Sequence, residues 1–258
     1  MKIKKHRCVL KIIDNIALDE KRKFFHLILE NPNWDWKPGQ FVMVKLLKPK
    51  YEPFLPRPFS IANIDIYLHL YYQVVGKGTE LLSFLKKGED VLIWGPLGNG
   101  FDYKYDEELL LLAGGMGIVP FLGLVVNHPD PDKLELIFGH RNPIHCYPYE
   151  EISKRILAWN IMDISAEDLK KLKRAIKVKI ENYAKDGKVL ACGPKPFLKM
   201  IHEFVIKYKA EAQFSLETFM ACGIGACLGC TILDKNKNFL QVCQDGPVFN
   251  AAILNFNW

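Results

Sequence analysis

Four cysteines near the carboxy end constrain this chain more than any other feature. They stand at Cys222, Cys227, Cys230 and Cys243, separated by four, two and twelve residues, and glycines punctuate the stretch "ACGIGACLGC" that holds the first three. Thiolates spaced C-x4-C-x2-C…C suit the two irons of a 2Fe-2S cluster, whereas structural zinc usually takes two separated C-x2-C pairs. A loop wrapped around such a cluster needs positive φ and backbone N–H groups aimed at sulfur, which Gly223, Gly225 and Gly229 are placed to supply. A zinc ribbon and a set of buried structural cysteines are the competing readings. A 2Fe-2S centre carries one electron at a time and makes no organic bond by itself, so neighbours that donate and accept electrons are implied.

The chain holds seven cysteines, with Cys8, Cys146 and Cys192 outside the quartet. An odd count, an expected cytoplasmic address and four cysteines clustered near the end argue against a disulfide framework and in favour of a metal site. The opening "MKIKKHRCVL" breaks into charge too early for a secretory leader, and no apolar run is long enough for a membrane span. Lys and Arg number 35 against 29 Asp and Glu, an excess spread thinly along the chain, so neither nucleic acid nor membrane is an expected partner.

Residues 1 to about 101 read as short strands separated by turn signals: "HRCVLKII", "KFFHLILE", "QFVMVKLL", "PFSIANI", "YLHLYYQVV" and "DVLIWGP". That spacing suggests a small antiparallel β-barrel or sandwich. One short helix, "GTELLSFLKKG", interrupts it, with Leu81, Leu82 and Leu85 on one side and Gly88 as its stop. From 102 to 214 the pattern becomes α/β: "ELLLLAGGMGIVPFLGLVV" reads as a buried strand, a glycine turn and a helix with Pro120 in its first turn. "KLELIFGH" and "KVLACGP" read as further buried parallel strands, and "KPFLKMIHEFVIKY" as a helix. Ser165 is positioned to cap another helix, in which Leu169, Leu172, Ile176, Ile180 and Tyr183 share a face. The lysines opposite, Lys170 to Lys179, read as a solvated surface. Residues 215 to 258 form a small cysteine-rich third region.

Two short motifs in the first region point to a dinucleotide. In "RPFSI" the Arg57 guanidinium can pair with phosphate and Ser60 can hydrogen-bond a flavin edge. Downstream, Gly76, Gly78 and Thr79 precede a helix whose N–H groups are placed for a pyrophosphate. Among other candidates, His140 and His145 read as loop residues, off the helical metal spacing. Phe219 and Met220 are expected to pack around the cysteine loop. The apolar end "PVFNAAILNFNW" is expected to close the core or to form a subunit contact.

Taken together, "RPFSIA", "VVGKGTELLS", "GPLGNGF", "GGMGIVP", "ACGPKPFL", "MACGIGACLGC" and "VCQDGPVF" resemble the electron-transfer subunits of class 1B dihydroorotate dehydrogenase, within the ferredoxin reductase superfamily, over nearly the whole chain. The resemblance implies an FAD-binding β-barrel, a parallel α/β domain for NAD(P) and a 2Fe-2S domain. It carries FAD contacts to Arg57, Pro58, Phe59, Ser60, Tyr71, Tyr72, Gln73, Gly78 and Thr79. It carries nicotinamide contacts to Gly114, Gly115, Gly117, Cys192, Gly193 and Pro194, and cluster ligation to the four cysteines. It further implies an FMN-containing catalytic dehydrogenase as partner, in a heterotetramer with two copies of each chain, serving pyrimidine biosynthesis. Two departures stand out. Gln73 replaces an arginine common in the family, with Lys77 near enough in sequence to compensate. Residues 140 to 186 contain no glycine, where relatives carry an acidic loop with serine and glycine, so binding of NAD(P) stays open. A related ferredoxin or NAD(P) reductase subunit serving another partner, and a metal-binding module whose barrel merely holds a protein, remain the alternatives.

Overall fold

The computed structural model describes residues 6–47 and 55–256. All six strands read in the first region form: β1 (His6–Ala17), β2 (Phe24–Glu30), β3 (Phe41–Leu46), β4 (Arg57–Ile64), β5 (Tyr67–Gln73) and β6 (Asp90–Leu97). They close an antiparallel barrel in the order β1-β2-β5-β4-β3-β6. The inward row is apolar, with Phe25, Leu27, Leu29, Ile61, Leu68, Leu70 and Ile93 fully buried, the period-two alternation that a sheet with one wet face requires. Helix α1 (Lys77–Ser83) ends before the expected stop, and Gly88 instead turns the chain at φ +87°, donating its N–H to the Ile12 carbonyl.

The second sheet has six strands in the order β14-β11-β10-β7-β8-β9. Its parallel part comprises β7 (Glu108–Gly114), β8 (Leu134–His140), β9 (Leu157–Met162), β10 (Gly187–Cys192) and β11 (Glu211–Ser215). Both faces of β7, β8 and β10 are covered, which accounts for their largely apolar sequences, with the buried Glu135 and Lys188 held in ion pairs. Helices α2 (Val119–Asn127) and α3 (Tyr149–Ser153) join one core cluster with the barrel-facing residues, while α4 (Ala166–Tyr183) and α5 (Lys195–Tyr208) belong to the other. In α4 the Ser165 hydroxyl accepts from the Asp168 N–H at 3.1 Å, and Leu172, Ile176 and Ile180 are buried as expected, while Leu169 is exposed. Lys179 also leaves the expected solvated row: it pairs with the buried Glu135 at 2.6 Å. His140 is no loop residue but the buried last residue of β8, tied to the Asn142 carbonyl and the Asn160 side chain.

The third region does not stand apart. After the β12–β13 hairpin (Thr231–Leu233, Phe239–Gln241), strand β14 (Val248–Asn250) adds antiparallel to β11 and extends the second sheet. Val248, Phe249, Ala251, Leu254 and Phe256 are buried, so this stretch closes core; Asn257 and Trp258 lie outside the described residues. Close approach joins barrel and sheet at Gly123 of α2, where a Cβ would meet the Trp36 ring at 2.2 Å and the Ala62 carbonyl at 2.7 Å. Among the described residues, no helix is long and apolar enough to cross a membrane.

Candidate functional site

A cavity of about 450 Å³ opens where barrel, parallel sheet and third region meet. Strands β4 and β5 give one wall through Pro58, Phe59, Ser60, Tyr71, Tyr72 and Gln73. The ends of β7 and β10 give the second through Gly114, Gly115, Gly117, Cys192 and Pro194. The third wall runs from Ser215 to Thr218, with Met220 and Pro247, and its Glu217 and Thr218 were not foreseen from sequence. Their proximity to Cys222, only four and five positions away, was the signal available.

Arg57, Gly78, Thr79 and Gly193 do not line this cavity. Arg57 and Gly78 share a small adjoining recess with Phe59, which borders both spaces. A Cβ at Gly78 would lie 2.7 Å from Arg57 Nε, so glycine there lets the guanidinium lie across the first turn of α1. Gly78 and Thr79 are within that turn, not before it. The Thr79 hydroxyl accepts from the Val75 and Gly76 N–H groups and donates to the Gly76 carbonyl, so its visible work is to shape the turn. Lys77 forms an exposed pair with Glu80 at 3.1 Å and is absent from the cavity wall where Gln73 stands. Gly193 packs behind the wall, where a Cβ would meet the Phe197 ring at 2.8 Å.

The three glycines after β7 divide their tasks. Gly117 lies so close to β10 that a Cβ would sit 2.2 Å from the Cys192 carbonyl oxygen, and Gly114 is pressed by Phe197 and Pro194. Gly115 alone combines positive φ, +54°, with open space where a Cβ would be. The turn therefore presents bare backbone to the cavity at Gly115, the close approach that a phosphate or ring needs.

Burial raises the titratable groups of the walls. Burial, reinforced by the Glu151 carboxylate, raises the Tyr71 hydroxyl, which donates to Glu151 Oε1 at 3.0 Å while its ring stacks on His26 at 4.1 Å. Burial also raises Cys192, with the Glu217 charge acting in the same sense against hydrogen bonds from Ser215 and the Gly193 N–H. Glu217 is exposed at the cavity, and its carboxyl is raised by desolvation among the groups around it. Thr218 Oγ1 is shielded and has no hydrogen-bond partner among the described residues, an orphaned polar atom in the wall of a space sized for a ring system.

The cysteine loop packs directly onto the barrel. Trp94 Nε1 donates to the Cys222 carbonyl at 3.1 Å, and Gly223, at φ +68°, lies where a Cβ would strike Met43. Gly225, at φ +81°, fits against the side chains of Gln241 and Gln244. The third positive φ belongs to Leu228, at +57°, and not to Gly229 as the spacing suggested. The Ile224 N–H points at Cys222 Sγ at 3.4 Å. Burial opposes ionisation of Cys222, but the N–H groups of Ile224, Cys227 and Ala226 and the Cys227 thiol outweigh it and bring the thiol down to about 7. Cys243 goes the other way, pushed up to about 12 by burial and by its contact with Cys230. Cys222 thus interacts with Cys227 and Cys243 with Cys230, and Cys222 acts on Cys243 as well. Among the described residues no three His, Cys, Asp or Glu side chains gather as around a single ion. Interacting sulfurs on a loop rich in inward N–H groups suit two irons bridged by sulfide. Phe219 does not pack around this loop: it is 96% exposed, whereas Met220 lies against the core.

Comparison with known proteins agrees with this layout. The signature of the iron-sulfur cluster binding domain of dihydroorotate dehydrogenase B matches residues 217–255. Among solved structures, an NADH-dependent reduced ferredoxin-NADP oxidoreductase superposes with a TM-score of 0.80 at 22% identity, covering 97% of this chain and 91% of that one. A ferredoxin NADP+ reductase from Neisseria gonorrhoeae with bound FAD and NADP gives 0.64 at 17% identity over 78% of this chain and 91% of that one. At such identities the likeness is one of fold. Closer in sequence are the dihydroorotate dehydrogenase B (NAD(+)) electron transfer subunits of Caldanaerobacter subterraneus and Clostridium perfringens. The first is 35% identical, covering 86% of this chain and 91% of the relative, and the second is 32% identical, covering 95% and 97%. With identity at that level sustained across barrel, sheet and cysteine loop, the chain belongs to the family of dihydroorotate dehydrogenase B electron transfer subunits.

Proposed function

We propose that this chain relays electrons between NAD and an FMN-containing catalytic subunit that converts dihydroorotate to orotate, using FAD in the cavity and a 2Fe-2S cluster on Cys222, Cys227, Cys230 and Cys243. The observation that carries the reading is a shared segment: Ser215 to Thr218 and Met220 line the cavity, and Cys222 follows two residues after Met220. One stretch of backbone therefore serves both centres, and each residue spans at most about 3.6 Å. FAD, when bound, exchanges two electrons as a hydride with nicotinamide and passes them singly to iron.

The chain's own groups divide that work as follows. Arg57 neutralises phosphate beside α1, and Ser60 with the Tyr71 and Tyr72 rings holds the isoalloxazine against the barrel. Bare backbone at Gly115 admits nicotinamide, and burial of Cys192 disfavours its thiolate beside the reacting faces. N–H groups around Cys222 favour its thiolate form. The first 101 residues form the flavin unit, 102–214 the nicotinamide unit and 215–258 the cluster unit. Cys227 is exposed, as are the apolar side chains of Phe219, Ile224 and Leu228 in the same loop; that loop docks the catalytic subunit. Two copies of each chain make a heterotetramer, in the cytoplasm, where seven free thiols persist.

The test is anaerobic co-purification with the partner, followed by visible and EPR spectra and analysis of released flavin, iron and acid-labile sulfide. FAD, a 2Fe-2S signal and bleaching by NADH are the expected results. Colourless protein holding only zinc refutes the cluster, and absence of FAD in the denatured supernatant refutes the flavin.

A further inference from the structure

The stretch without glycine, 140 to 186, is anchored closely at its start, and the anchors deliver one carboxylate to the cavity wall. Tyr147 is buried, and its ring meets Phe24 of β2 edge-on at 5.5 Å and Phe138 of β8 at 5.1 Å. Tyr149 stacks on the same Phe138 at 5.8 Å and donates its hydroxyl to the Ala158 carbonyl at 3.1 Å. Ile152 is fully buried. Helix α3 is thus pinned to barrel and sheet at once, and Glu151, exposed between Tyr149 and Ile152, reaches across the joint. Its Oε1 accepts from the Tyr71 hydroxyl at 3.0 Å.

Tyr71 is buried on β5 and lines the cavity. The half-buried His26 ring covers one face of the phenol at 4.1 Å and 8°; His26 Nε2 stands 3.0 Å from His69 Nδ1, and His69 Nε2 stands 3.1 Å from Asp65 Oδ1. The phenol is therefore held at its ring and at its hydroxyl. Burial first and the Glu151 charge second raise that hydroxyl, so it keeps its proton and stays a donor. Donation to a carboxylate, in place of water or a carbonyl, pushes electron density back onto the phenol, and in a buried wall this polarisation is weakly screened. A ring system lying against Tyr71 would feel it as negative potential.

Resting on the flavin reading above, we propose that Glu151 is a positioning residue for the flavin that acts through Tyr71. It holds the phenol in the cavity wall from the far side of the barrel–sheet joint, and its charge lowers the reduction potential of the flavin beside that phenol. Electrons are then held less tightly at the wall and are passed on more readily to nicotinamide. A pinned segment suits this bond, because a free loop would lose conformational entropy each time it formed.

Anaerobic potentiometric titration of the holoprotein at fixed pH would follow FAD, which takes up two electrons and one proton, by absorbance, and the cluster by EPR. Glu151→Gln keeps an acceptor of the same shape without the charge. Its flavin midpoint should rise by about a 3- to 10-fold gain in the reduction equilibrium, which is about 15 to 30 mV for a two-electron couple. Tyr71→Phe should raise it at least as far, and the double variant no further than Tyr71→Phe alone. The cluster midpoint and the melting temperature of Glu151→Gln should stay at their wild-type values, which separates tuning from a loosened joint. An unchanged flavin midpoint in Glu151→Gln, or a full Glu151→Gln shift that survives in the Tyr71→Phe background, overturns the role of Glu151 and leaves the flavin reading standing. Wild type that releases no FAD on denaturation overturns both.

Discussion

Replacing Gly117 by alanine should separate the nicotinamide wall from the strand that supports it. The new Cβ would stand 2.2 Å from the Cys192 carbonyl oxygen, 2.4 Å from its carbon and 2.6 Å from the Gly193 nitrogen. Ordinary contact needs about 3.4 Å or more, so the two segments must part by roughly 1 Å, and all three obstacles are backbone. Cys192 cannot yield easily, because β10 is hydrogen-bonded to β7 on one side and β11 on the other. The cost belongs at the upper end of overpacking, about 3 kcal/mol. For a chain of this size that corresponds to a fall of about 6 to 12 °C in melting temperature. Gly115→Ala makes the control: its site is open, so only the positive φ is penalised, at about 1 to 2 kcal/mol. Differential scanning fluorimetry on FAD-loaded protein would rank the two, and NADH-dependent dye reduction would report the active geometry. Gly117→Ala should lose stability and turnover together, whereas Gly115→Ala should raise the KM for NADH with the smaller loss of stability. A Gly117→Ala protein that melts within 1 °C of wild type would show that the glycine is not compelled by the Cys192 backbone.

Two further outcomes are expected. His26, half-buried against Tyr71 and beside His69, is held down to about 4 by desolvation first and by His69 second. The fold therefore favours the neutral ring, and stability present above about 6.5 should fall as pH drops toward 4, by about 3 kcal/mol at most for this group. Urea midpoints across that window should flatten in His26→Gln; an unchanged slope refutes the assignment. Phe219→Ser should weaken capture of the catalytic subunit by about 10-fold or more, as loss of an exposed aromatic anchor does, while the cluster EPR signal is retained; unchanged affinity moves the docking face elsewhere.

Much of this arrangement is legible in the residues because local and tertiary demands coincide there. The barrel strands alternate, α4 carries its own cap, and α5 occupies the very stretch that its apolar spacing suggests. What escaped reading lies where tertiary context decides. Strand β9 is an edge strand with exposed Leu157 and Trp159, so its pattern lacks the apolar run of its neighbours, and β11 is five residues whose partners are distant in sequence. Leu228 takes a left-handed conformation that sequence would assign to the glycine beside it. Glu217 and Thr218 acquire meaning only because β11 and the cysteine loop bracket them at the cavity. His140 read as a loop residue together with His145, yet parallel pairing carries it into the interior.

Strand β14 bears on how portable the iron-carrying end is. Because Val248–Asn250 zips onto β11 and Leu216 donates its N–H to the Pro247 carbonyl, the cysteine loop and the nucleotide sheet share one selvedge. Cutting residues 217–255 free for grafting would fray both cloths, leaving β11 as a raw border and the loop without the barrel floor at Met43 and Trp94. A designer who wishes to move this piece must carry β11 along.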